Sequence, residues 1–284
     1  MKNAGSQNAN PLLDVQNLQD HREIDLQRVG VSRVMVPMNV VQKNGNLQPV
    51  TAKATMSVGL GKAYKGTHMS RFISQLTEWS KDKHLSLDLQ DFLAEAKERL
   101  KAPSAQIQLD FQYFIDKKAP VTGISAPMAY ACRFDASLGA TATDYDFMLG
   151  VTAPISTLCP CSKAISDYGA HNQRAEIRAE VLIDTQTPHP MIWIEDLVEA
   201  LDTCASCPVF PFLKREDEKW VTERQYDNPK FVEDVMRDAI ALLREFPGVK
   251  SFNLEVEALE SIHGHNAWCA HQEENGARQE NFVR

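Results

Sequence analysis

The chain has 284 residues, 43% hydrophobic and 24% charged, which is the mixture of an ordinary globular protein and excludes a fibrous repeat or wholesale disorder. A formal net charge of −8 argues against broad, sequence-independent nucleic-acid binding, so an anionic substrate would have to meet a local basic cluster. No stretch reaches the roughly 20 apolar residues of a membrane span and residues 1–30 lack a signal-peptide core, so no membrane partner is expected and a cytoplasmic location is.

Residues 1–28 are rich in Asn, Gln and Asp without a sustained hydrophobic period, which reads as a mobile N-terminal arm. From Val29 the pattern changes. Residues 31–41 and 49–58 carry β-branched side chains at alternate positions on either side of Asn44-Gly45-Asn46, the signature of a hairpin. Apolar residues three or four apart predict a helix over 72–79, capped by Thr67 or Ser70, and a second over 89–100, begun after Leu87-Asp88 and stopped by Pro103. Strands come next at 105–115 and 126–134. The order then recurs: strands at 145–155 and 173–183, helices at 193–201 and 229–246, a strand at 249–259 and a last one within 261–270.

Each half is therefore β-β-α-α-β-β, a repeat of pattern rather than identity, with a first unit over 29–140 and a second over 141–284 that carries the candidate metal ligands. Such a unit makes a four-stranded antiparallel sheet with two helices across one face, an α+β fold whose other face is left to bury. Four strands are too few for a roomy barrel, which takes about eight or more. Assembly into a homo-oligomer, with sites at subunit boundaries, is the expected solution.

The six cysteines, at 132, 159, 161, 204, 207 and 269, suit metal binding, catalysis or core packing better than disulfides in a reducing cytoplasm. Pro160 between Cys159 and Cys161 stiffens the backbone and removes an amide donor, so the thiols are expected on a bend that continues neither strand nor helix. Twelve residues after Cys159, beyond a turn that Gly169 permits, comes His171. A soft sulfur and an imidazole nitrogen together suit Zn²⁺ or a similar divalent ion, whereas a Cys-x-Cys pair alone is as readily two small packed residues. Lys163 and Arg174 flank the pair, and positive charge beside a thiol favours thiolate. Cys204-Ala-Ser-Cys207 is the rival metal motif, but no second Cys-x-x-Cys completes it and its place at a helix end favours packing. Residues 210–224 connect two helices where connections usually run about 2–8 residues, too long for a mere turn. Alternating charge there is by default solvated surface, yet one of its carboxylates would complete a Cys/His/Glu set with a position left for water.

Four stretches, in this order, resemble the type IB GTP cyclohydrolases: Gly66-Thr-His-Met-Ser-Arg71; Leu158-Cys-Pro-Cys-Ser-Lys163 through His171-Asn-Gln-Arg174; Leu213-Lys-Arg-Glu-Asp-Glu-Lys219 with Val221-Thr-Glu-Arg224; and Asn228-Pro-Lys-Phe-Val-Glu-Asp234. The likeness runs from about residue 28 to about residue 270. It implies a tandem tunnelling fold assembled as a homotetramer of barrels. It also implies conversion of GTP and water to 7,8-dihydroneopterin triphosphate and formate, the first committed step toward folate. Carried over residue by residue, it implies one divalent metal per site, zinc or alternatively manganese or iron, on Cys159, His171 and Glu218, with Glu216 and Glu223 as the alternative carboxylates. Glu233 matches the group that holds guanine, though on its own it reads as a glutamate in the first turn of a helix, where the dipole favours it. His263, with His265 beside it, matches a proton-transfer group, and Cys159 is catalytic as well as a ligand.

The residue types agree with that chemistry. Attack at guanine C8 near neutral pH needs an acidified water, ring opening and closure need protons moved, and a carboxylate can accept from guanine N1–H and the 2-amino group while rejecting adenine. Lys62, Lys65, Arg71, Lys163, Arg174, Lys214 and Arg215 are the basic candidates for the triphosphate. His68 is either a site residue or the neighbour of a helix cap. Two rivals stand beside this reading: a 7-cyano-7-deazaguanine reductase of the same fold with Cys159 as nucleophile, and a non-catalytic zinc protein with a closed site of Cys159, Cys161, Cys204 and Cys207.

Overall fold

The computed structural model describes residues 14–16, 18–82, 85, 88–186, 188 and 191–274. Alternating hydrophobicity makes β1 (Leu26–Val41) and β2 (Leu47–Leu60) a hairpin in which Val36, Met38 and Val40 on one strand and Ala52, Ala54, Met56 and Val58 on the other turn inward. Asn44 Oδ1 accepts from the Asn46 amide inside the turn, and Gly45 takes the left-handed conformation at φ 84°. Of the expected N-terminal arm, residues 1–13 and 17 lie outside the described residues. The described part is tied down, since Lys65 N donates to Leu18 O at 3.0 Å and Gly66 N to Gln16 O at 3.1 Å.

α1 (Met69–Asp82) and α2 (Leu89–Leu100) cover this half with Phe72, Leu76, Trp79, Phe92 and Leu93, and Trp79 meets Phe92 edge-on at 5.3 Å. Ser70 lies inside α1 and so does not cap it, and Leu87, expected just before α2, falls outside the described residues. β3 (Ala105–Lys118) and β4 (Ser125–Leu138) pair along their whole lengths.

The second half begins with β5 (Tyr145–Leu158), α3 (Pro160–Ile165), β6 (Asn172–Ile183), α4 (Ile194–Asp202) and the two-residue β7 (Cys207–Pro208). It ends with α5 (Arg215–Asp227), α6 (Val232–Arg244), β8 (Val249–Ala258) and β9 (Ala267–Glu274). Among the described residues one antiparallel sheet runs β1-β2-β3-β4-β5-β6-β8-β9, with β7 added to β5 and α1, α2, α4 and α6 packed against it. No helix of the described residues is long and apolar enough to cross a membrane.

Three features of the second half depart from the sequence reading. Residues 215–224, expected within a loop, are helical as part of α5, which buries only Asp217 and Gln225 and so offers no apolar stripe to read. The helix expected over 229–246 starts at Val232, because Asp234 Oδ2 accepts from the Phe231 amide and fixes the first turn there. The last strand starts at Ala267, later than expected.

The sheet face away from the helices is ionic. Arg133 pairs with Asp110 at 2.7 Å and reaches across β5 to Glu180 at 3.3 Å, and Arg178 holds Glu176, Glu255 and Glu257. Gly150 stands between Arg133 and Glu180 in register, and a Cβ there would lie 3.1 Å from that of Arg133, so the missing side chain lets the pair meet.

Candidate metal and substrate site

β5 and β6 end together. Leu158 faces Asn172 in their ladder, so the next residue out on each strand, Cys159 and His171, meets its opposite number, and Cys159 N donates to His171 O at 3.1 Å. Core pairs further in, Ala153 with Ile177 and Ile155 with Ala175, fix this register because a slip would turn them to the ionic face.

The Cys-Pro-Cys segment is not the free bend expected from its proline. Pro160 opens α3 at the first helical position, where its missing N–H costs nothing, and Cys159 is the N-cap, with Sγ accepting from Ser162 N at 3.4 Å. Ser162 Oγ donates to Cys159 O at 3.1 Å and accepts from His171 N at 3.2 Å, so one hydroxyl closes the loop between the two candidate ligands. Gly169 makes the return at φ 67°. Cys159 is half-buried and Cys161 exposed.

The His171 ring is held from one side. Its Nδ1 lies 3.1 Å from Gln173 Oε1 and 3.3 Å from Ser261 Oγ, while Gln173 Nε2 donates to Glu260 Oε1 at 3.4 Å. Glu260 and Ser261 belong to the β8–β9 connection, which also carries His263 and His265, both exposed, with their rings stacked 5.2 Å apart. The two candidate proton-transfer residues thus follow closely in the chain on Ser261, which touches the candidate ligand.

A buried scaffold supports this corner. Leu158 N donates to Ser206 Oγ at 3.2 Å, Lys230 N to Leu158 O at 3.1 Å, and Asn228 Nδ2 to the carbonyls of Ala205 and Ser206. Asn172 Nδ2 donates to Gln225 Oε1 at 2.7 Å, which docks the end of α5 beside His171. Cys204 and Cys207 are buried here, and burial pushes both thiols up to about 11, so they stay protonated as packing groups. The closed four-cysteine site is therefore corrected: among the described residues no group of three or more His, Cys, Asp or Glu side chains is placed to hold a metal.

The same holds for the third ligand. Glu218 lies on α5 seven residues before Gln225, hence on the same face about two turns away, roughly 10 Å along the axis. It is exposed, and neither it, Glu216 nor Glu223 joins the Cys159–His171 pair within one chain; Glu223 lies 3.7 Å from Lys219. The sulfur and imidazole fit a divalent ion as two ligands of a mixed S/N/O set that a carboxylate would complete.

The substrate candidates divide between the units. Lys163 donates to Tyr226 O and stacks 4.1 Å over that ring, at the edge of the ligand loop. Lys214 and Arg215 are exposed at the start of α5, whose anchor is Asp217: its carboxylate accepts from Val121 N, Thr122 N, Thr122 Oγ1 and Lys214 N, which hold it well below the usual carboxylate range against the opposing effect of burial. Glu233 is exposed at the second position of α6. Arg174, by strand alternation, lies on the sheet face opposite that of His171 and Gln173. His68 and Arg71 sit in the first unit, His68 Nε2 at 3.2 Å from Asp14 and Arg71 donating to Arg99 O at 3.1 Å. Lys62 and Lys65 lie on the connection just before them, where Lys62 N donates to Asp25 Oδ1. Sequence reasoning misses Gln173, Glu260 and Ser261. The available signal is that Gln173, two residues after His171 on a strand, must share its face.

Residues 12–269 match the family model described as Type I GTP cyclohydrolase folE2. Among similar curated relatives is GTP cyclohydrolase FolE2 of Geobacter sulfurreducens, 45% identical over 258 residues that cover 90% of this chain and 96% of that protein. Its counterpart in Fervidobacterium nodosum is 46% identical over 261 residues, covering 91% and 96%. Among solved structures, urate oxidase from Bacillus subtilis 168 superposes with a TM-score of 0.52 at 7% identity, covering 87% of this chain and 98% of that one. A uricase from Bacillus fastidious does so at 0.51 and 10%, covering 88% and 93%. At such identity these two speak for the fold alone.

Proposed function

Because the chain belongs to the type I GTP cyclohydrolase FolE2 family, we propose that it is a GTP cyclohydrolase, converting GTP and water to 7,8-dihydroneopterin triphosphate and formate for folate synthesis. The observation that carries the reading is the meeting of Cys159 and His171 at the shared end of two core strands, inside the matched region. Membership of this family sets aside the reductase reading of Cys159.

In this proposal Cys159, His171 and Glu218 hold one divalent ion, zinc with manganese or iron as alternatives. When bound, the ion supplies a Lewis acid that makes water nucleophilic near neutral pH at guanine C8. Glu233, at a helix start whose free amides favour a carboxylate, accepts from guanine N1–H and the 2-amino group. His263 or His265 delivers and removes protons as the imidazole ring opens and the pterin ring closes. Lys163, Arg174, Lys214 and Arg215 are the second unit's contribution to the triphosphate.

His68 and Arg71 would serve a site on another copy, which accords with a homotetramer whose sites lie at subunit boundaries. What supports that arrangement is the exposed apolar side chains around the Cys159–His171 corner, with Ile165 85%, Tyr168 93% and Ile262 62% exposed. The tunnelling-fold assignment draws support from the likeness to urate oxidases, and the cytoplasmic location expected from the sequence is retained within this proposal.

The deciding experiment incubates chelated, purified protein with GTP and single divalent metals, measuring formate and, after oxidation, pterin fluorescence. Both products are expected with at least one metal and neither without metal. Absence of formate under every metal refutes the reading, and light scattering of the same sample tests the tetramer.

A further inference from the structure

We propose that Gln173, oriented by Glu260, and Ser261 are positioning residues that keep the proton of neutral His171 on Nδ1 and so present Nε2 as the metal-binding nitrogen. The proposal deepens the reading of His171 as a ligand and rests on it.

Donors and acceptors decide the matter. A carboxylate only accepts, whereas a glutamine amide can turn either end to a neighbour. Glu260 Oε1 lies 3.4 Å from Gln173 Nε2, which turns the NH₂ end of the amide toward Glu260 and leaves the oxygen facing His171 Nδ1 at 3.1 Å. Two acceptors cannot bond without a hydrogen between them, so Nδ1 carries it and the lone pair is left on Nε2. Glu260 Oε2 is buried and finds no hydrogen-bond partner among the described residues, so the Gln173 amide is the donor shown for this side chain. The Ser261 hydroxyl, 3.3 Å from Nδ1, can take either role and here serves as a second acceptor. The register explains why these residues meet. Gln173 shares the His171 face of β6, and the pairing of Ala175 with Ala258 brings the end of β8, and hence Glu260, alongside. Metal-binding histidines elsewhere are held through their second nitrogen in this way, and loss of such a partner typically costs about 10–100-fold in metal affinity.

The test uses the full-length, metal-free protein with ¹⁵N-labelled histidine above about pH 8, where an ordinary histidine is neutral. The His171 signals are identified by their loss in His171→Ala. Wild type should show the Nδ1–H tautomer, Gln173→Leu a mixture or the other tautomer, and Glu260→Gln an intermediate pattern. The charge-conserving double variant Gln173→Glu with Glu260→Gln keeps an acceptor facing Nδ1 and should restore the wild-type pattern. Zinc affinity, measured against a chelating dye, should fall about 10–100-fold in Gln173→Leu and recover in the double variant. Circular dichroism confirms that each variant is folded. An Nε2–H tautomer in wild type, or an unchanged Nδ1–H pattern in Gln173→Leu, overturns the proposal. Undiminished zinc binding by His171→Ala overturns the ligand reading instead, and the tautomer measurement, made without metal, tells the two failures apart.

Discussion

Ser206→Ala tests whether a single buried hydroxyl holds the site corner in place. β4 pairs with β5 only as far as Thr152, and β7 replaces it only at Ile155 and Ser156, so the last residue of β5 projects beyond both neighbours on that edge. Its amide is satisfied by the Ser206 hydroxyl at 3.2 Å, and both residues are buried, Leu158 at 4% and Ser206 at 0% exposure. Removing the hydroxyl strands a buried N–H, which costs about 1–3 kcal/mol. At about 2–4 °C per kcal/mol for a protein approaching this size, the melting temperature should fall by about 2–12 °C. Melting should be followed by circular dichroism with metal chelated, because a bound ion would mask part of the loss. Ser74→Ala, whose hydroxyl bonds Glu78 on the exposed face of α1, is the control and should stay within about 0.5 kcal/mol of wild type. Equal melting of Ser206→Ala and the control would show that Leu158 does not rely on this hydroxyl.

Cys159→Ser and His171→Ala should each lose zinc and GTP turnover, whereas Cys204→Ser with Cys207→Ser should keep near-normal metal content. Elemental analysis after gel filtration decides, and zinc loss in the latter variant would restore the rival motif. Lys117 and Asp202 form a nearly buried pair at 2.6 Å between β3 and α4, with the Asp202 carboxyl pushed up by its burial. Lys117→Met should cost about 3–5 kcal/mol in urea unfolding and Lys117→Met with Asp202→Leu should recover most of it, a recovery whose absence would refute the role given to desolvation. Arg244 grips Glu273 through two 2.7 Å bonds and, with His271, pushes its carboxyl down to about 2. A depressed carboxylate contributes stability above its unfolded value, about 4.3, that is lost as pH falls toward about 2. Arg244→Met should therefore melt lower than wild type near neutral pH, and the gap should close below about pH 4; a constant gap across that acid range would count against it.

The strands are legible because period-two burial is written directly into residues such as Val36, Met38 and Val40. α5 is not, since its docking depends on Asp217 and Gln225, and polar anchors leave no hydrophobic period. Pro160 reads as a breaker in the sequence and is a starter in the fold, a distinction that turns on Cys159 capping the helical turn after it. Spacing and chemistry alone suggest that Cys159 approaches His171, and the strand register supplies the geometry. Proximity in sequence groups Arg174 with His171, although strand alternation puts it on the opposite face, that of Asn172. Glu260 and Ser261 are invisible in the sequence because only the β6–β8 register brings residues about 90 positions from His171 back to it.

The backbone bond from Cys159 to His171 ties chemical competence to correct pairing. A β5–β6 hairpin misaligned by one position would send Ile155 or Ile177 toward the ionic face and, in the same movement, part the sulfur from the imidazole. Chains trapped in that state would be poor scavengers of zinc as well as poorly packed. If Cys159 and His171 hold the ion proposed for them, metal uptake would favour the properly aligned form and draw newly made protein toward it.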